Sequence, residues 1–304
     1  MRNPEIFWTE HNLGDTRFPA LFPLAALSGP NGPKLVGTAF VISAHESYAI
    51  ALSVAHNFDG LKKAQQPARS RHPSALLDLF GDAEEISLEP GQVSAIYIDG
   101  PDVSVANVDW VFVDKKRDLA VFKISTHNGS SPFRSAFSLR EFTPMTGDEI
   151  MVMGYDMTLE EVDTEGQNLS LSVGLRIVCR TGKVSAYHPD GHIFVRGPCI
   201  ETTVPVFGGM SGGPVFIKDE EGRPMCAIGA ISSDPDEALE QKQSPTYNGQ
   251  SAVTLLNLYQ DRNDPEGKTF ALQMISGHFN FSNAEGELEP SLEELKEQIK
   301  NSLE

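Results

Sequence analysis

Short apolar runs, many alternating with polar positions and broken by Gly, Pro, Asn or Asp, fill most of the chain. Val111-Phe-Val113 and Val121-Phe-Lys-Ile124 repeat every second residue, the period at which side chains share one face of a strand. Strands are predicted over residues 36–43, 47–55, 107–114, 119–125, 148–155, 174–186, 192–197, 199–205, 213–218 and 225–233. Many strands without intervening helices imply an all-β sandwich or barrels, and antiparallel barrels remove exposed edges by closing on themselves. The tail breaks this pattern. Ser291 and Glu294 form a capping box, and Leu292, Leu295, Ile299 and Leu303 recur at spacings of three and four. An acidic amphipathic C-terminal helix is therefore predicted over 291–303.

One turn stands out chemically. Gly208-Gly-Met-Ser-Gly-Gly-Pro214 presents a single serine among glycines, which allow a sharp bend and let backbone N–H groups converge without Cβ interference. A hydroxyl beside converging donors suits acyl transfer: the hydroxyl attacks a carbonyl and the donors hold the charge that develops on its oxygen. The same residues satisfy Gly-x-Ser-x-Gly, the nucleophile elbow of α/β-hydrolases. That elbow feeds a helix, whereas Pro214 and Val215-Phe-Ile217 read as strand. It also requires a histidine after the serine and the acid, and the sole histidine beyond Ser211 is His278, in a polar region.

Two further segments lie upstream. Residues 37–43, GTAFVIS, and 49–56, AIALSVAH, form an apolar hairpin ending in His56, and Asp118 leads directly into the alternating run Leu119–Ile124. Asp109 and Asp114 are nearby rivals for the acidic role. With Gly147-Asp148 through Gly154-Tyr155, these segments resemble the trypsin-like (chymotrypsin-fold) serine peptidases, in particular the bacterial type without disulfides. The resemblance spans roughly residues 20–260. It implies two antiparallel six-stranded β-barrels: the first over about 20–126, the second over about 133–262, with a long insertion at about 59–105. An N-terminal extension (1–19) and a C-terminal extension (263–304) flank this peptidase domain.

The resemblance assigns His56 as general base, Asp118 as its orienting acid and Ser211 as nucleophile, with the N–H groups of Gly209 and Ser211 as oxyanion hole. It maps the substrate-binding wall to Pro205, Val206 and Phe207, and the strand pairing with substrate backbone to Ser232, Ser233 and Asp234. Ser232 also takes the position that supports the catalytic aspartate. Pro205 replaces the acidic residue that selects Lys or Arg, and no histidine lies in 225–234, so a small or medium apolar side chain is the expected preference. Met210 replaces the aspartate that pairs with a newly cut N-terminus in digestive relatives. Restraint of the enzyme is therefore expected from the insertion, the tail or a regulatory protein partner.

Composition narrows the remaining classes. The 304 residues carry a formal charge of −18, which disfavours nucleic acid as a partner and suits protein or peptide substrates. No run of about 18 apolar residues exists, so no membrane association is expected. The N-terminus lacks an apolar signal region. With only Cys179, Cys199 and Cys226, reduced thiols in the cytoplasm are expected. No cofactor and no metal ligands are assigned. A peptide-binding module without catalysis is the alternative function, and an esterase a third; an intact triad favours the endopeptidase.

Overall fold

Alternate residues of the central strands pack into different cores, which is why their sequences read as continuous apolar runs. The computed structural model describes residues 9–12, 20–26, 34–59, 84–88, 91–99, 102–126, 131–139, 142–162, 170–192, 195–218, 226–232 and 251–256. In β3 (Lys34–Ala44) and β4 (Ala49–Ser53), Ala39, Val41, Ala49 and Ala51 face one cluster with Phe22 and Phe122, while Phe40, Ile42, Ile50 and Leu52 face another. That second cluster also takes Met153, Tyr155, Cys179 and Phe216 from the C-terminal half of the chain. A strand buried on both faces loses the polar half of its period-two signature. Ile150, Val152, Val215 and Ile228 fill a third cluster.

These three clusters are the interiors of two barrels and the layer between them. The first barrel closes through β2 (Leu21–Ala26), β3, β4, β8 (Leu119–Ser125), β7 (Asp102–Asp114) and β6 (Ser94–Asp99), with β5 (Glu84–Ser87) added outside β7. The second closes through β10 (Glu149–Val162), β13 (Pro214–Ile217), β14 (Cys226–Ile231), β15 (Ser251–Leu255), β12 (Cys199–Thr202) and β11 (Ser170–His188). Every barrel pairing is antiparallel, and the two-residue β9 (Ser138–Leu139) adds to β14 in parallel off the barrel path. A 3-10 turn, Ala55–Phe58, is the one helical element among the described residues, and the helix expected over 291–303 lies outside them.

Several elements differ from the sequence pattern. β6 lies within 59–105, so the first barrel draws a strand from the stretch expected as an insertion. β1 (Thr9–Asn12) pairs with β11, which attaches part of the 1–19 extension to the second barrel. Within the predicted strand at 192–197, the described residues form no strand, and His192 and Val195 make an isolated antiparallel bridge. β2 hides behind Pro23, a residue that argues against a central strand. It reaches β6 only through Leu24 and Ala25, so the missing N–H of Pro23 falls where one side has no ladder.

No described helix is long and apolar enough to cross a membrane. Cys179, Cys199 and Cys226 are free thiols. Burial pushes Cys179 and Cys199 from about 9 up to about 11. The unfolded chain releases these protons first, so the associated stability is complete below about pH 9 and is lost as pH rises through about 11. We predict that unfolding free energy falls across this window by on the order of 1 kcal/mol per pH unit for each thiol. Urea melts at several alkaline pH values should show the slope, and Cys179→Ala/Cys199→Ala should flatten it.

Candidate active site

The expected catalytic side chains sit on turns and at strand ends. His56 lies in the 3-10 turn directly after β4. Asp118 closes the four-residue turn between β7 and β8 at φ +54°, a left-handed conformation that Asp tolerates better than most residues. Asp114 fixes that turn, because its Oδ1 accepts the N–H groups of Lys116 (3.0 Å) and Arg117 (3.1 Å). Asp109 instead pairs with Lys123 (3.1 Å) and accepts from Ser125 Oγ (2.8 Å). Both rivals of Asp118 are thus engaged in local structure.

Asp118 is held from three directions. His56 Nδ1 lies 2.9 Å from Asp118 Oδ2, and the His56 backbone N–H donates to Oδ1 at 3.0 Å. Ser232, following β14 on the second barrel, donates its Oγ to the same Oδ2 at 2.5 Å. A buried carboxylate beside Nδ1 keeps the hydrogen on that nitrogen and leaves the Nε2 lone pair available as a base. Cross-barrel bonds clamp the turn itself: Thr254 Oγ1 donates to Arg117 O (2.6 Å) and the Arg196 N–H to Lys116 O (2.5 Å).

Ser211 joins this pair through its backbone. Its carbonyl accepts the Thr38 N–H at 2.8 Å and Asn57 Nδ2 at 3.0 Å. The second hydrogen of that amide goes to Ser53 Oγ (2.9 Å), and Ser53 donates onward to Thr38 O (2.8 Å). Thr38 Oγ1 donates to Gly209 O (2.5 Å) and accepts the Tyr155 N–H (2.9 Å). Asn57 follows His56, so the side chain of the histidine's neighbour holds the serine carbonyl directly. Just before the serine, the Met210 N–H donates to Phe207 O (3.1 Å) with Gly209 at φ +96°, as in a type II turn. Gly212 is needed twice over: φ is +87°, and a Cβ would run into Ser53 Oγ and Thr38 O.

The segment 203–207, expected to wall the substrate site, rests on Arg180, which sequence reasoning missed. Its Nη1 donates to Pro205 O, and its guanidinium lies 4.5 Å from the Phe207 ring centre. Val206 is buried in the second barrel, while Pro205 and Phe207 are half-buried. The other expected substrate-contacting residues, Ser233 and Asp234, lie outside the described residues. Thr38, Ser53 and Asn57 were also missed. Their one legible signal is a polar residue beside His56 or inside an apolar strand. Metal-ligating side chains gather elsewhere, at His188, His192 and Glu201.

Removing the Asn57 amide strips a donor from the Ser211 carbonyl and another from Ser53 Oγ, in a site where Asn57 itself is buried. Asn57→Ala should lower unfolding stability by about 2 kcal/mol, the order expected for orphaned buried polar groups. An unchanged urea midpoint and slope would contradict this role.

The sequence model of the trypsin-like peptidase domain matches residues 37–228. Among solved structures, the chain is similar to the MamO protease domain from Magnetospirillum magneticum (apo form), at 14 % identity and a TM-score of 0.42, covering 78 % of this chain and 91 % of that one. It is similar also to the Rv3671c protease from M. tuberculosis (active form), at 14 % identity and a TM-score of 0.42, covering 87 % and 82 %. No curated protein matches. The matched domain occupies well over half of the chain and contains His56, Asp118 and Ser211: the chain belongs to the trypsin-like peptidase family.

Proposed function

We propose that this protein is a serine endopeptidase that cleaves peptide bonds in protein substrates through His56, Asp118 and Ser211. The observation that carries the reading is the Asp118 carboxylate, bonded to both His56 Nδ1 and Ser232 across two barrels, with the Ser211 carbonyl tied to the residue after His56. Ser211 Oγ attacks the scissile carbonyl carbon while His56 Nε2 takes its proton. Asp118 stabilises the imidazolium that forms. The N–H groups of Gly209 and Ser211 hold the oxyanion. Collapse breaks the C–N bond, His56 protonates the departing amine, and an acyl-enzyme remains on Ser211. Water, activated by the same imidazole, then releases the acid and restores the serine.

An extended substrate segment adds alongside residues 232–234 by strand pairing. Pro205 and Phe207, apolar and half-buried beside the serine turn, favour a small or medium apolar side chain before the scissile bond. A peptide-library profile should show Ala, Val or Leu there; a profile dominated by Arg and Lys would contradict this preference.

The catalytic assignment is tested with a serine-directed fluorophosphonate probe and an unfolded protein substrate. The wild type should label and cleave, and Ser211→Ala should do neither. Asp118→Asn should retain the fold while kcat falls about 10⁴-fold, because the amide favours the wrong imidazole tautomer. Labelling that persists in Ser211→Ala would refute the nucleophile. Peptide binding without labelling by the wild type would favour the non-catalytic module, and ester turnover without peptide turnover would favour an esterase.

A further inference from the structure

The hairpin that joins β11 to β12 gathers three metal-ligating side chains that the catalytic reading does not use. His188 ends β11, and β12 returns antiparallel with Cys199 opposite His188 and Glu201 opposite Ala186. Residues two apart on a strand share a face, so His188 and Glu201 are diagonal neighbours on one side of the hairpin. The connecting turn brings the third group. Gly191 reverses the chain at φ +104°, with Val195 O and Arg196 Cα standing where a Cβ would go. The His192 backbone then pairs both ways with Val195, at 2.8 and 3.0 Å. This folds His192 back over His188, with ring centres 4.2 Å apart and planes within 11°.

Both Nε2 atoms lie close to the same oxygen, and His188 Nε2 shares a hydrogen bond with it. Glu201 Oε1 lies 3.2 Å from His188 Nε2 and 2.5 Å from His192 Nε2, and the three ligand atoms fall within 4.8 Å of one another. The side chains are 28 %, 35 % and 18 % exposed for His188, His192 and Glu201, so an ion reaches them without unfolding. We propose that His188, His192 and Glu201 form a site for a zinc-type divalent cation, with water as the fourth ligand.

Two imidazoles and one carboxylate suit zinc, which takes nitrogen and oxygen ligands in a tetrahedron. Bonds of about 2.0–2.1 Å place tetrahedral ligand atoms about 3.3 Å apart. His188 and Glu201 already have that separation; His192 and Glu201 open by about 0.8 Å relative to this ideal edge, and the His192 ring turns out of its stack on His188 so that both in-plane Nε2 lone pairs converge. Cys199 sits on the same hairpin but is fully buried and outside the cluster of ligand atoms, so the fourth position falls to water. Coordination through Nε2 places the ring hydrogen of each imidazole on Nδ1.

The bound ion would staple β11 to β12 at the end from which β12 runs into the 203–207 wall and the Ser211 turn. The spacing His188-x-x-x-His192 is legible in the sequence, but on a turn rather than a helix it does not by itself set two imidazoles on one face. The tertiary structure supplies that.

Full-length protein stripped with a chelator is titrated with zinc chloride by calorimetry, and with cobalt(II) chloride while visible ligand-field absorption is followed. One saturable site should appear, and the unfolding midpoint should climb with the logarithm of free zinc. His188→Ala and His192→Ala should each weaken binding at least tenfold and Glu201→Gln several-fold, while His56→Ala leaves it unchanged. Melts of the metal-free variants establish that they fold, and His192→Asn, in the turn, carries the test if His188→Ala does not. Absence of saturable binding by folded wild type, which would leave a hydrogen-bonded His–Glu–His network only, overturns the site. Undiminished binding in both histidine variants also overturns it. Because the readout is metal, the result stands apart from peptidase activity.

Discussion

The carbonyl oxygen of Ser211 is the point on which the two barrels meet. Thr38 reaches it from β3 and Asn57 from the turn after β4, and both lie on the first barrel while the serine lies on the second. A backbone carbonyl so held cannot rotate freely, and the orientation of its peptide plane sets where the serine side chain leaves the chain. The Asn57 amide spends its two hydrogens on Ser211 and Ser53, and Thr38 serves Gly209 and Tyr155. Movement of one barrel relative to the other would break several of these bonds at once. Every buried polar group released would lack a replacement partner, so the serine turn is rigid because the interface is.

Apolar packing makes that polar seam possible. The cluster between the barrels draws Phe40, Ile42 and Leu52 from one side and Met153, Tyr155 and Phe216 from the other. Burial of this layer excludes water from the hydrogen bonds around Thr38 and Asn57, where each is worth more than at the surface. A second seam clamps the turn bearing Asp118, through Ser232, Thr254 and Arg196. The carboxylate and the serine are therefore each held by contacts from the opposite barrel, through independent sets of bonds.

The β11–β12 hairpin connects this arrangement to the rest of the second barrel. Its strands close that barrel, its turn stacks His192 on His188, and its C-terminal end leads to Pro205 and Phe207. Arg180, on β11 itself, supports the same segment by holding the Pro205 carbonyl. The conformation of segment 203–207 thus depends on a residue from another part of the same barrel.

Much of this was written in the chain. Alternation in 119–125, apolar runs in 36–43 and 47–55, and glycines around Ser211 announce an all-β protein with a serine on a sharp bend, because strand period and glycine freedom are local properties. The family resemblance carried by Asp118-Leu-Ala-Val favoured Asp118 over Asp109 and Asp114, which also precede strand residues. Other features were not legible. β2 and β6 were hidden by a proline and by a long irregular stretch, and Arg180 and Asn57 looked like ordinary polar residues. Their roles depend on partners 25 and 154 residues away. Closing the barrels decided these roles, since only closure brings distant carbonyls within hydrogen-bonding distance and withdraws the water that would otherwise satisfy them.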